Sequence, residues 1–265
     1  MRTEEIYEAL LPREVVTFDE IVELVSRLSV RRDRTYINTK YVQPLVRKGR
    51  LRRLRRGIYS VSAGVKGVSP DKILVASKVK ERYYLGYHTA LELHGSAYSA
   101  YNTAYVCVRH GDGFKEFKYD QYTIKPVFSS DIEVRVEELM YGGHAVMVSS
   151  RERTFLECLD RVEYAGGWEE ALKSLESMSG LRFDELAMFT VDSCNSFLTQ
   201  KTGFILELLR SRSIFYEHLQ DSTLDRLHSS IGEQPRYLVK GEPGELNKRW
   251  RLYVPEEFEE YLRGV

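Results

Sequence analysis

Cysteine is scarce in this chain, and its spacing is not that of a metal site. The three cysteines, Cys107, Cys158 and Cys194, lie about 40–50 residues apart and form no Cys-x-x-Cys pair. A disulfide framework and a structural zinc site are therefore not expected. We interpret these residues as core thiols of a protein in a reducing compartment, and we expect neither a metal nor another cofactor.

Long apolar runs are also missing. No stretch of the sequence approaches the roughly 18 consecutive apolar residues that a membrane-spanning helix needs. The first residues, MRTEEIYEALLPRE, are polar and helix-like, unlike a secretory signal. We therefore expect a cytoplasmic protein with no membrane partner.

Patterns typical of catalysis are few. The sequence contains no G-x-S-x-G, phosphate-binding loop, dinucleotide-binding glycine pattern or HExxH. Gly95-Ser96 would suit a nucleotidyltransferase only if paired aspartates followed on the next strand, and they do not. A metal-dependent nuclease could use Glu116 and Lys118 with Asp112, and this stays an alternative. The favoured expectation is that the protein is not an enzyme and has no catalytic residues.

Net charge is zero, with 39 basic and 39 acidic residues, but the charge is unevenly spread. Residues 1–26 carry a net charge of −5, residues 27–56 carry +11 and residues 57–265 carry −6. Within the basic block, residues 47–56 (RKGRLRRLRR) contain seven basic side chains out of ten. Such asymmetry favours a nucleic-acid partner or another acidic surface.

The basic block coincides with a recognisable order of elements. A helix is predicted over 3–11, and a second begins at a capping box formed by Thr17 and Glu20. A third is predicted over 35–48, although Pro44 requires it either to kink or to start later. The segment RLRRLRRGIYSVSAG then reads as a β-hairpin, with its turn at Arg55-Arg56-Gly57. Helix, helix, helix and hairpin is the order of a winged helix-turn-helix, which we assign to residues 1–66.

Residues 69–265 are expected to form a larger α+β domain, with a small β-sheet packed by helices. Ser69-Pro70 is the predicted start of a helix that runs to about Arg82. The remaining helices are predicted at 87–94, 151–164, 168–178, 183–192, 195–211, 214–228 and 256–262. The strands are predicted at 105–108, 122–128, 132–136, 145–148, 236–239 and 249–254.

In a winged helix-turn-helix, the third helix enters the major groove of DNA and the hairpin lies on the backbone or in the minor groove. Candidates for base or sugar contacts on the third helix are Thr35, Tyr36, Asn38, Thr39, Lys40 and Gln43. Candidates for phosphate contacts are Arg47, Lys48, Arg50, Arg52, Arg53, Arg55 and Arg56. The entry to the helix adds Arg31, Arg32 and Arg34. A different class of function, in which the basic block binds an acidic protein surface, remains open.

Four segments of the sequence resemble one protein family. They are VRKGRLRRLRRGIYSV, YYLGYHTALELHG, VSSRERTFLECLDRVEYAGGWEEAL and NKRWRLYVP. Together they make the chain similar to the AbiEi-type antitoxins, transcriptional regulators of type IV toxin–antitoxin and phage-defence loci. The third segment departs from the family pattern at two positions, since Arg151 stands where the family has proline and Glu157 where it has aspartate.

The resemblance implies a division of labour. The N-terminal domain would bind operator DNA, with inverted repeats as the expected target, and repress its own operon. The second domain would neutralise a nucleotidyltransferase-type toxin without forming a stable complex with it. Arg151, Glu152 and Arg153 are candidates for an antitoxin surface, or else for caps and ion pairs that bind a helix to the sheet. A plain transcriptional regulator without a toxin partner is the alternative.

Overall fold

The computed structural model describes residues 3–28, 33–62 and 69–263. The chain forms two compact units, and neither is continuous in sequence. The first comprises Met1–Tyr83, Asn102–Ile132 and Gly142–Val146, and the second comprises Tyr84–Tyr101, Glu133–Tyr141 and Met147–Val265. The first unit therefore contains more of the chain than the N-terminal domain expected over 1–66.

Helices are concentrated in the second unit and at the start of the first. In chain order the helices are α1 (Thr3–Leu10), α2 (Phe18–Leu28), α3 (Arg34–Ile37), α4 (Gln43–Arg47), α5 (Lys72–Ser77), α6 (Tyr87–Leu93), α7 (Arg151–Asp160), α8 (Trp168–Glu176), α9 (Phe183–Asp192), α10 (Ser196–Arg210) and α11 (Asp221–Ser229). A π-helical turn covers Asn38–Val42, and 3₁₀ turns cover His110–Asp112, Val162–Tyr164, Ile214–Tyr216 and Phe258–Leu262. Among the residues described, no helix has both the length and the apolar character needed to cross a membrane.

The strands are short, and together with the helices they make the fold a mixed α+β one, as expected. In chain order they are β1 (Val15–Thr17), β2 (Leu51–Arg55), β3 (Ile58–Val61), β4 (Tyr84–Leu85), β5 (Thr103–Val108), β6 (Phe117–Tyr119), β7 (Tyr122–Phe128), β8 (Val136–Tyr141), β9 (His144–Ser149), β10 (Arg236–Tyr237), β11 (Glu245–Asn247) and β12 (Leu252–Val254). In the first unit, β3 pairs antiparallel with both β1 and β2, while β7 pairs parallel with β5 and antiparallel with β6. In the second, β12 pairs parallel with β10 and antiparallel with β11.

The strand predicted over 132–136 is not formed. Arg135 has φ +50°, in the left-handed region, and this conformation interrupts an extended chain. The strand of this region is β8, which starts at Val136, directly after Arg135. The helix predicted over 214–228 is likewise divided into a 3₁₀ turn and α11.

The N-terminal elements of the first unit share one apolar core. It is built from Ile6, Leu10, Val16, Ile21, Val25, Ile37, Tyr41, Val42, Leu45, Leu51 and Tyr59. These residues come from α1, β1, α2, the helical segment 34–47 and the hairpin of β2 and β3. Each element is too small to bury its apolar face alone, so all of them depend on this common core.

The start of α2 confirms the predicted capping box. The Glu20 backbone N–H donates to Oγ1 of Thr17 at 3.1 Å, and the Thr17 backbone N–H donates to Oε2 of Glu20 at 2.7 Å. Two backbone donors that the helix itself cannot satisfy are thus bonded reciprocally. The β1 strand that ends at Thr17 is too short to show in the sequence pattern.

The proline in the third predicted helix is accommodated by a widened turn. The Gln43 backbone N–H donates to the Asn38 carbonyl, a π-type bond, and Pro44 lies in the first turn of α4. Proline has no N–H to donate, and the first turn of a helix needs none. Segment 34–47 therefore continues through Pro44, and neither a sharp kink nor a later start is needed. We call this segment helix 34–47.

The helix after residue 69 is shorter than predicted at both ends. Its N-cap is Asp71, whose carboxylate accepts from the backbone of Ile73 and Leu74. The Ser69 hydroxyl, expected to cap this helix, donates instead to the Asp120 carboxylate at 2.8 Å. The helix is α5 and ends at Ser77.

The second unit is organised around a buried tryptophan near its C-terminus. Trp250 is fully buried, and its indole N–H donates to the Glu207 carboxylate at 2.6 Å. Gly203 on α10 lies against the six-membered ring of this indole, where a Cβ atom would overlap the ring carbons. Helix α10 therefore packs closely on the segment NKRWRLYVP because residue 203 has no side chain.

We predict that Gly203→Ala destabilises the second unit by about 1–3 kcal/mol, because the added methyl group overpacks the core against Trp250. Urea unfolding followed by tryptophan fluorescence measures the loss. Gly111→Ala, in the first unit, controls for the exchange of glycine for alanine itself, since a Cβ there meets no atom within 4 Å. Equal stability of the two variants would contradict the close packing.

Candidate nucleic-acid interface

Helix 34–47 begins with an exposed polar turn. Asp33 caps it, and its carboxylate accepts from the backbone N–H groups of Thr35 at 2.9 Å and Tyr36 at 3.3 Å. Thr35 and Thr39 are exposed and Asn38 is partly exposed, whereas Ile37 is buried in the core. One face of the helix thus packs on the apolar core, while the other presents hydroxyl and amide groups to solvent.

The hairpin places its arginines in different surroundings because β2 is irregular. Arg53 pairs with Tyr59 and Arg55 with Ile58, so the register shifts between the two arginines. A β-bulge of this kind bends the strand and re-aims the side chains around it. The turn itself is Arg56-Gly57. Gly57 has φ +82°, a backbone conformation that is strained for residues other than glycine.

Helix 34–47 and the hairpin enclose an open groove, which we call the helix–hairpin groove. Its polar lining comes from Arg34, Thr35, Asn38, Gln43, Arg53 and Arg56, with Asp19, Phe18, Gly57 and Tyr59 completing the walls. Six of the residues predicted from the sequence to contact DNA are therefore brought together in one place. Three belong to the predicted base-contacting set, two to the phosphate set and one to the helix entry.

The positive charges of this groove differ in how they are compensated. Nη1 of Arg34 lies 2.5 Å from the Asp19 carboxylate, and its guanidinium lies 4.9 Å from the centre of the Phe18 ring. Arg53 and Arg56 are exposed, and no carboxylate in the described segments pairs with either of them. The groove therefore holds two uncompensated cations opposite the polar face of the helix.

Two polar side chains in the groove are bonded to each other. Gln43 Nε2 donates to Asn38 Oδ1 at 3.3 Å. The remaining donor and acceptor atoms of these two amides can bond the edge of a base, since an amide offers both a donor and an acceptor.

Several other basic residues of the predicted interface are neutralised by nearby carboxylates. Lys48 Nζ lies 3.0 Å from Glu4, and Arg50 forms an ion pair with the same carboxylate. Arg52 donates two hydrogen bonds, of 3.0 and 2.6 Å, to the two carboxylate oxygens of Asp120. These hydrogen bonds raise the pKa of Arg52 and lower the pKa of the Asp120 carboxyl.

The remaining candidates lie outside the helix–hairpin groove. Lys40 donates to the Tyr36 hydroxyl at 2.6 Å and lies over the Tyr36 and Tyr41 rings, so its ammonium group is held on the helix surface. Arg47 is exposed at the end of the helix. The Arg55 guanidinium lies over two aromatic rings of the first unit, Phe114 and Phe117. Arg31 and Arg32 lie outside the described residues.

The three candidates for an antitoxin surface are mostly buried in the second unit. Glu152 and Arg153 are 1% and 5% exposed, and only Arg151 is partly exposed, with a bond to the His94 carbonyl at 3.3 Å. Glu152 accepts from the Arg182 side chain and from the Ser150 hydroxyl. Glu152 and Arg153 thus lie inside the unit, which agrees with the alternative of caps and ion pairs. Of the three candidates, only Arg151 is accessible to a partner.

Arg153 is the centre of a buried polar network. Its Nε donates to Glu157 at 2.8 Å and its Nη2 to the Tyr84 hydroxyl at 2.6 Å, while a third bond reaches the Val134 carbonyl. Burial raises the pKa of the Glu157 carboxyl, whereas Arg153 and the Tyr84 hydroxyl act in the opposite direction. The arginine therefore supports a carboxylate that would otherwise be costly to bury.

The residues of the nuclease alternative are not gathered into a metal site. Glu116 is exposed and precedes β6, Lys118 is exposed on β6, and Asp112 lies in a 3₁₀ turn. Within the described ranges, no group of three or more His, Cys, Asp or Glu side chains is arranged to hold a metal ion. His88 and His94 serve other bonds, since Nε2 of His88 lies 3.0 Å from Glu170 and Nε2 of His94 lies 2.8 Å from the Ser149 carbonyl.

Comparison with known proteins shows a likeness in fold. The crystal structure of the RV2827C protein from Mycobacterium tuberculosis superposes with a TM-score of 0.66 and 12% sequence identity, over 97% of this chain and 92% of that chain. No protein-family model and no curated protein matches the sequence. At this identity the likeness concerns the architecture of the two chains and not their activity.

We predict that Arg153→Met destabilises the second unit by about 3–5 kcal/mol at pH 7, because Glu157 is then buried without its cationic partner. The double variant Arg153→Met/Glu157→Leu should lose less, since it removes the carboxylate as well. Urea unfolding of both variants measures the difference.

The deficit of Arg153→Met should also depend on pH. A carboxyl group whose folded-state pKa is raised contributes stability below its unfolded pKa, and that contribution is lost as pH rises through the folded pKa. The single variant should therefore lie closer to the unmodified protein near pH 4 than at pH 7, while the double variant lacks this dependence. A single variant that is as stable as the double at pH 7 would contradict the assigned network.

Proposed function

We propose that this chain is a sequence-specific double-stranded DNA-binding protein and that its N-terminal elements act as a winged helix-turn-helix. The observation that carries the proposal is the helix–hairpin groove, in which Arg53 and Arg56 face the polar first turns of helix 34–47 with no carboxylate partner among the residues that the structure describes. Dense negative charge is the common property of every DNA backbone, and arginine binds phosphate through two parallel hydrogen bonds.

In this proposal the two sides of the groove have different tasks. Helix 34–47 enters the major groove, where Thr35, Asn38 and Gln43 contact base edges, the two amides being suited to adenine. Arg53 and Arg56 on the hairpin bind the backbone and supply affinity that is independent of sequence. Arg34, already bonded to Asp19, positions the start of the helix.

We further propose that the protein represses transcription of its own operon and that this operon encodes a toxin of the nucleotidyltransferase type. The resemblance of four sequence segments to AbiEi-type antitoxins supports this part of the proposal. The second unit would then carry the antitoxin function, with Arg151 as its one accessible candidate among the three residues named from the sequence. A regulator without a toxin partner is the alternative, and the identity of the neighbouring gene distinguishes the two.

We predict that Arg53→Ala/Arg56→Ala weakens binding to a random-sequence 30-base-pair duplex by about ten- to a hundredfold at 0.1 M salt. The slope of log K against log salt should become shallower by about 1.8, because each lost phosphate contact contributes about 0.9. Fluorescence anisotropy over a salt series measures both quantities in the full chain.

The matched control is Arg226→Ala/Lys248→Ala, which removes two exposed positive charges from the second unit. It should bind the duplex with an unchanged slope. Equal effects of the two double variants would show that net charge, and not the groove, governs binding. Absence of any salt-dependent binding by the unmodified protein would refute the proposed function.

We predict that Asn38→Ala changes sequence preference more than it changes overall affinity. Loss of one amide contact to a base is worth about 1–3 kcal/mol of discrimination, while binding to the random duplex stays within a few fold. The measurement is selection from a randomised duplex pool, followed by binding to the DNA directly upstream of the protein's own gene. A selected motif identical to that of the unmodified protein would remove Asn38 from the base-reading set.

A further inference from the structure

A second basic groove lies in the first unit, beside the same hairpin turn. It is lined by Arg55 and Arg56 of the hairpin, by Lys78 and Lys80 after α5, and by Phe114 and Lys115 before β6. We call it the flank groove. Three of its cationic residues lie beyond residue 66, outside the segment that the sequence assigns to DNA binding.

Carboxylates compensate only part of this positive charge. Lys78 Nζ lies 2.6 Å from Glu20, whose carboxylate also closes the capping box of α2. Asp19 lines the flank groove as well, but it is bonded to Arg34. Lys80 and Lys115 have no carboxylate partner within the part of the chain that the structure describes.

Arg55 adds an uncompensated charge that is fixed in place. Its guanidinium lies 5.2 Å from the centre of the Phe114 ring and 4.9 Å from that of Phe117, and its Nη1 is buried without a hydrogen-bond partner in the described residues. Burial lowers the pKa of Arg55, but an arginine remains charged at neutral pH. Aromatic rings, and not a carboxylate, therefore hold this cation at the wall of the groove.

Arg56 connects the two grooves because it lines both of them. A small anion would occupy one groove or the other. A chain of regularly spaced phosphates can instead pass the hairpin turn and be contacted on each side of it. Positive charge that continues around the turn therefore fits a polymeric backbone better than a separate anion.

We propose that the flank groove binds a second stretch of the DNA backbone, with Lys80 and Lys115 as phosphate-contacting residues. This inference rests on the proposed function, since it extends the surface that function requires. The DNA-binding surface then includes the loops at residues 78–80 and 113–115 in addition to the N-terminal helices and hairpin.

The test is the full-chain variant Lys80→Gln/Lys115→Gln, which keeps most of each side chain and removes its charge. With the random 30-base-pair duplex, the slope of log K against log salt should become shallower by about 1.8 and affinity should fall about ten- to a hundredfold at 0.1 M salt. Lys80→Arg/Lys115→Arg should restore both values. Hydroxyl-radical footprinting on the DNA upstream of the gene should show protection lost on one side of the hairpin contact while protection on the other side persists.

The outcomes separate this inference from the proposed function. If Arg53→Ala/Arg56→Ala weakens binding while Lys80→Gln/Lys115→Gln leaves slope and footprint unchanged, the flank groove is not part of the interface and the proposed function stands. If the unmodified protein does not bind the duplex, the proposed function itself fails. If Lys80→Arg/Lys115→Arg binds the duplex as poorly as Lys80→Gln/Lys115→Gln, the loss of binding does not depend on charge, and the inference is also overturned.

Discussion

Helix 34–47 and the β2–β3 hairpin pack on one apolar core, and this shared packing decides which arginines can face a ligand. Ile37 and Leu45 fix one face of the helix, while Leu51 and Tyr59 fix the hairpin against the same cluster. The polar face of the helix is thereby turned toward the hairpin, and the width of the helix–hairpin groove follows from how closely the two elements pack. A bulge in β2 then separates neighbouring arginines, so that Arg53 lines that groove and Arg55 packs on aromatic rings. The core thus sets the geometry of the charged surface even though it contributes no charge.

Carboxylates divide the described cations of the basic block into two classes. The paired cations are Arg27, Arg34, Lys48, Arg50 and Arg52, which meet Glu23, Asp19, Glu4 and Asp120. Three of these four acids come from the acidic segment 1–26. The negative charge of that segment therefore compensates part of the positive charge of residues 27–56. Exposed pairs of this kind contribute only about 0–1 kcal/mol each to stability. Their larger effect is on how readily these cations can bind phosphate, because a paired guanidinium must first leave its carboxylate.

Local features could be read from the sequence, whereas distant partners could not. The Thr17–Glu20 capping box and the hairpin turn at Gly57 depend on residues a few positions apart, so their patterns are visible in one segment. The Arg52–Asp120 pair joins residues 68 positions apart, and no periodicity signals it. The same holds for Arg55, whose aromatic contacts come from a loop beyond residue 100. The charge count located the basic segment. Which of its cations are paired, however, depends on residues that are distant in sequence and close in the fold.

The separation of paired and unpaired cations also governs how salt dependence should be interpreted. An unpaired arginine that binds phosphate releases the cations condensed on the DNA, and the slope against salt counts those releases. If Arg52 left Asp120 to bind phosphate, the freed carboxylate would attract cations again and would offset part of that release. The number of basic residues in the sequence therefore overestimates the slope, and the number of cations without a carboxylate partner is the better guide. Arg53, Arg56, Lys80 and Lys115 lie around one hairpin turn of the first unit. Under the proposed function, the slope would therefore report on the hairpin and its neighbouring loops more than on the basic block as a whole.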